Sequence, residues 1–100
     1  METTPELTLK ELLLARHSIT SARAGVELPN GYMNFELALA ILDGCRDAIT
    51  MADAHNSNTL IGKLATATRA LALLQSGAAE AGVKAARSHL ETTIAALRVL

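Results

Sequence analysis

The chain has 100 residues, half of them hydrophobic, with 19 charged residues and a formal net charge of −1. A chain of this length forms one domain, residues 1–100. The charge balance excludes a nucleic-acid binder as the default, because such domains carry a marked basic excess, and it also argues against an acidic disordered tail. Nineteen Ala and 17 Leu stand against one Tyr, one Phe and no Trp. That bias favours helix, where Ala and Leu lose little side-chain freedom.

The longest apolar run is Leu37 to Leu42, too short to span a membrane. No basic start followed by an apolar run comes after Met1. The single cysteine, Cys45, has no partner for an internal disulfide. A cytoplasmic protein with no membrane partner is the expectation.

Residues 1–7 read as a frayed start. Helix 1 is predicted from Thr8, where Thr8-Leu9-Lys10-Glu11 fits a capping box with Glu11 reaching back. It runs to Ala24, with Gly25 as a left-handed stop. Leu12, Ala15, Ile19, Ala22 and Val26 share its inner face. Pro29-Asn30-Gly31 reads as a turn in the following connection. Helix 2 is predicted from Asn34 as cap, with Phe35, Ala38, Leu42, Cys45, Ile49 and Ala52 inward. His55-Asn56-Ser57-Asn58 breaks that pattern. Helix 3 follows from Ser57 or Asn58, carries Leu60, Leu64, Ala67, Leu71 and Leu74 as its stripe, and ends at Ser76-Gly77. Helix 4 runs from about Ala79 with Val83, Ala86, Leu90, Ile94 and Leu97 inward. No run alternates with a period of two, so no sheet is predicted. The fold class is all-α, a small antiparallel bundle of about four helices.

Helix 2 has an apolar arc of about half its wheel, from Met51 through Leu37, Ile41 and Ala52 to Ile49 and Phe35. Ala40, Gly44 and Ala48 recur at steps of four, and such small residues permit close backbone approach. Either helix 2 is the centre of its own bundle, or part of the arc is buried by another chain, making a homo-oligomer. Leu12-Leu13-Leu14 cannot all face one core, and Leu14 lies nearly opposite Ile19. Leu39 sits among Glu36, Asp43 and Arg46, and Leu73 among Thr66 and Arg69. Leu13, Leu14, Leu39 and Leu73 are therefore the candidate partner-binding residues.

Catalytic and cofactor signatures are lacking. His17, His55 and His89 fit no metal-ligand spacing. His55 reads as a helix-terminal histidine facing the carbonyl dipole. Cys45 lies on the inward stripe and reads as a small buried hydrophobe rather than a nucleophile. Asp43 and Asp47 share a face with Arg46 between them, the pattern of a solvated charged face, and the Glu-x-x-His of di-metal bundles is missing. Gly77-Ala78-Ala79-Glu80-Ala81-Gly82 has neither the Lys-Ser/Thr of a P-loop nor a preceding strand. Lys63, Arg69, Lys84 and Arg87 are scattered among acids, unlike a recognition helix.

In architecture alone the chain resembles histidine phosphotransfer domains, which are four-helix bundles of about this size with an exposed histidine. His17 lies outside the Leu12–Ile19 stripe, but Thr20 and Ser21 stand where those domains place Lys and Gly. The expectation is a non-enzymatic regulatory protein that needs no cofactor and acts on a protein partner. Phosphotransfer through His17 and a self-assembling structural subunit are the alternatives.

Overall fold

Helical periodicity dominates the sequence, and the computed structural model follows it. It describes residues 4–24, 29–50, 57–73 and 80–98. The elements are four α-helices: α1 (Thr4–Ala24), α2 (Pro29–Thr50), α3 (Ser57–Ala72) and α4 (Glu80–Arg98). No strand occurs among the described residues. The fold is a four-helix bundle in which α1 packs on α2 and α4, and α3 packs on the same two, so α1 and α3 are diagonal. The longest dimension, 38 Å, is close to the ~33 Å of a 22-residue helix at ~1.5 Å per residue. The helices therefore lie side by side.

The inward stripes meet in one core. Leu12 and Ile19 of α1, Phe35 and Leu42 of α2, Leu64 and Leu71 of α3, and Val83, Leu90 and Leu97 of α4 form a single buried cluster. Burying each such side chain contributes roughly 1.5–3 kcal/mol. Ile94, placed inward by the pattern, is only partly buried. Ala52, Leu74 and Val26, also placed inward, lie outside the described residues, as do Gly25, His55 and Ser76-Gly77.

Two helix starts differ from the sequence expectation. Helix α1 begins at Thr4, so residues 4–7 are helical rather than frayed. Thr8 is consequently an interior residue, fully buried, and not a cap. Helix α2 begins at Pro29, so Pro29-Asn30-Gly31 is helix and not a turn, and Asn34 is interior. Proline suits a first helical position because the amide it lacks has no intrahelical acceptor there. A local dipeptide signal was overridden by a favourable helix start.

Threonine hydroxyls inside the helices are satisfied locally. Thr20, Thr66, Thr68, Thr92 and Thr93 each donate to the carbonyl four residues back. The fully buried Thr93 thereby avoids the cost of an unpaired hydroxyl.

Candidate interaction surface

Helix α1 sits between unlike neighbours. Toward α4 its side chains are small: Ala15 and Ala22 are buried, and Ser18 is half-buried. Gly82 of α4 lies against Ser18 and Ala22. A Cβ added there would fall 2.7 Å from the Ala22 Cβ and 3.1 Å from the Ser18 carbonyl oxygen. The glycine is thus needed for the backbone approach that makes α1 and α4 the closest-packed pair.

Further along the same seam, Glu11 Oε2 stands 2.6 Å from His89 Nδ1. In the tautomer that carries its proton on Nδ1, the ring donates to the carboxylate. The Glu11 side chain is only 14% exposed and that of His89 31%. Glu11 therefore ties α1 to α4 instead of reaching back to Thr8. The residues could not reveal this pairing, which spans 78 positions.

Toward α2, larger apolar groups are rimmed by ion pairs. Arg16 Nε donates to Asp43 Oδ1 at 3.1 Å, and Arg23 pairs with Glu36. Both bonds run antiparallel in sequence and fix the direction of α2 against α1. They also explain a correction. The wheel places Leu39 among charged residues and hence outside, but Leu39 is buried in the core at 9% exposure. Its charged neighbours Glu36 and Asp43 reach across to α1, so their side of α2 is a helix boundary and not open surface. Leu39 is not a partner-binding residue.

The other three candidates are exposed. Leu13 is 67% exposed, Leu14 39% and Leu73 78%. Leu13 and Leu14 flank the exposed His17 on the outer face of α1. Leu73 follows α3 on its outer side, with Thr66 and Arg69. Because α1 and α3 are diagonal, one flat partner cannot cover both sets. A fourth exposed leucine, Leu37 at 47%, lies on α2. The sequence put it in the broad apolar arc, and the fold divides that arc into a core half and an outer half.

The described residues build little else of chemical use. A notch between α1 and α2, lined by Leu12, Leu13, Arg16, Leu42, Asp43 and Arg46, holds about 20 Å³. That is room for about one water molecule, far below the ~300 Å³ of a small-molecule site. Asp43 is held by Arg16, and Asp47 Oδ1 lies 3.5 Å from Arg46. No three His, Cys, Asp or Glu side chains among the described residues converge as metal ligands. Cys45 is fully buried. Burial pushes its thiol above the usual range, and the nearby Lys63 charge opposes this. No described helix is long and apolar enough to cross a membrane.

No family model, no curated protein and no solved structure matches this chain.

Proposed function

We propose that this chain is a non-catalytic regulatory protein of the cytoplasm. It binds a larger protein through an apolar helix surface and inhibits or modulates it, as an antiactivator of a transcription factor or an anti-defence inhibitor of a bacterium or phage would. The observation that carries this reading is the outer face of α1, where Leu13 is two-thirds exposed beside Leu14. A few apolar anchors supply most of the energy of a protein interface, and flanking charges set orientation. Lys10, Arg16 and His17, all exposed, supply such a rim.

The test is capture of the partner from the native host with tagged wild type, Leu13→Asp and Leu14→Asp. Each anchor substitution costs on the order of 2 kcal/mol in partner affinity. Thermal stability stays near wild type, because both side chains are outside the core. Folded variants that hold the same partner as tightly as wild type overturn the reading.

A second reading draws on one observation, the solvent exposure of His17 on a helix of a four-helix bundle. In phosphotransfer, an imidazole nitrogen of His17 would accept the phosphoryl group from a donor protein. Acid-labile phosphate, present on wild type and missing from His17→Gln, is its signature.

A further inference from the structure

Two of the three histidines, His17 and His89, lie among the described residues, and their surroundings differ. His17 is exposed on α1 and has no carboxylate partner among the described residues. His89 is half-buried in the α1–α4 seam, where Glu11 Oε2 stands 2.6 Å from its Nδ1. An ionised carboxylate can only accept, so a contact this short puts the ring proton on Nδ1. Nε2 is then the nitrogen with the free lone pair. It has no partner among the described residues and is not sealed inside the protein. The carboxylate is the more deeply placed of the two, its side chain 14% exposed against 31% for that of His89.

The backbone around the pair holds this order. Ser18 is seven residues from Glu11, and Gly82, which lies against Ser18, is seven from His89. The pair thus sits about two turns along the antiparallel seam from the closest backbone approach. A carboxylate that fixes the tautomer of an imidazole also balances the positive charge the ring gains when its other nitrogen attacks. Glu11 stands where it can do both for His89, and no described residue does either for His17.

We infer that His89 is a phosphoryl acceptor, with Nε2 as the nucleophile and Glu11 as its positioning residue. A half-exposed ring on a helix seam encloses no substrate, but it can take a group from a donor and hold it. An acyl group on imidazole is soon lost to water, whereas a phosphoryl group stays on the nitrogen until acid cleaves it. The donor class is a small acyl phosphate, reactive enough to transfer without a binding pocket. Nε2 attacks the phosphorus, and the N–P bond forms as the bond from phosphorus to the acyl oxygen breaks. The carboxylate of the donor leaves with that electron pair. No proton has to move, because Nδ1 keeps its hydrogen and Glu11 offsets the charge on the ring. The inference shares its chemistry with the second reading above but not its residue. It therefore stands or falls apart from His17, and apart from partner binding through Leu13 and Leu14.

Incubation of the full chain with acetyl phosphate at mildly alkaline pH tests it. The modified nitrogen is mapped in the wild type by NMR of the imidazole rings, so the result does not depend on any variant folding. The expected outcome is an acid-labile phosphoryl group on Nε2 of His89, with acetate released in equal amount. The more exposed His17 is the internal control for a ring without a carboxylate. His89→Gln abolishes the uptake, and His17→Gln leaves it unchanged. Glu11→Gln keeps an acceptor for the Nδ1 proton but loses the charge. It slows uptake at least ~10-fold with the tautomer and the far-UV spectrum unchanged, which a mere tie between helices would not do. A wild type that takes up no phosphoryl group overturns the inference. A group mapped to His17 in place of His89 also overturns it, in favour of the second reading. Equal rates in wild type and Glu11→Gln overturn the role given to Glu11.

Discussion

Helix α1 meets α4 and α2 by opposite means. Its α4 flank sets Ser18 and Ala22 against Gly82, with so little side-chain volume that the backbones nearly touch. Its α2 flank includes Leu12 and Leu42, which line one notch, and is rimmed by the exposed pairs Arg16–Asp43 and Arg23–Glu36. The first flank is the closer although its helices stand at opposite ends of the chain. Close approach gathers many weak dispersion contacts at once. Exposed ion pairs contribute only about 0–1 kcal/mol each. Residue size, not sequence proximity or visible salt bridges, sets which helices pack tightest here.

The strongest way to break this contrast is to put a charge under the α2 flank. Leu39→Asp should cost about 3 kcal/mol or more, because it buries a carboxylate. Leu13→Asp, on the exposed face of the same helix pair, should stay within about 0.5 kcal/mol. Urea denaturation of the two variants makes the comparison. A Leu39→Asp protein as stable as wild type would return Leu39 to the surface.

The α4 flank is probed by adding one carbon. Gly82→Ala should cost about 1–3 kcal/mol through overpacking against Ala22, even though Ala is the better helix former by up to ~1 kcal/mol. Gly62→Ala, where an added Cβ meets nothing within 4 Å, should gain about 0.5–1 kcal/mol for that same reason. Equal urea midpoints for the two variants would remove the case for backbone contact at Gly82.

Cys45 belongs to neither flank of α1 and serves as a reference for plain core burial. Cys45→Ser should cost about 1–3 kcal/mol by burying a hydroxyl and losing apolar packing. Native protein should label slowly with a bulky thiol reagent, since the thiol is buried. Burial raises the folded thiol above its ordinary value of 9.0. The unfolded chain then ionises first as pH rises, so the contribution is whole below about pH 9 and falls above it. Cys45→Ala should flatten that alkaline slope in pH-resolved denaturation.

The smallest effect should be the Arg16–Asp43 pair. A double-mutant cycle to Ala is expected to give a coupling below about 1 kcal/mol, shrinking further with added salt. A larger and salt-independent coupling would mean that the α2 flank depends on its ion pairs after all.

Much of this architecture was legible in the residues. The stripes of Leu12–Ile19, Phe35–Ile49, Leu60–Leu71 and Val83–Leu97 mark the buried faces, because a period near 3.6 admits only one packing side. Helix starts were less legible. Pro29-Asn30-Gly31 suits a turn or a helix start, and only the chain around it decides. The candidate surface was half legible. Leu13, Leu14 and Leu73 lie outside as their wheel positions imply, whereas Leu39 does not. A wheel ranks a position by its own helix, but exposure depends on whether a neighbouring helix covers that side. Leu37 illustrates the converse, an apolar position on a broad arc that no neighbour covers.

Composition and periodicity alone decide that this chain is helical, that it forms four segments, and which residues lead each into the core. Those properties are local, set by side-chain entropy and by the 3.6-residue repeat. Tertiary structure alone decides that α1 and α4 are the closest pair, that Glu11 holds His89, that Leu39 is core, and that the outer face of α2 is left open. Each of these depends on contacts between residues far apart in the chain, and packing geometry is a property of helix pairs that no single helix encodes.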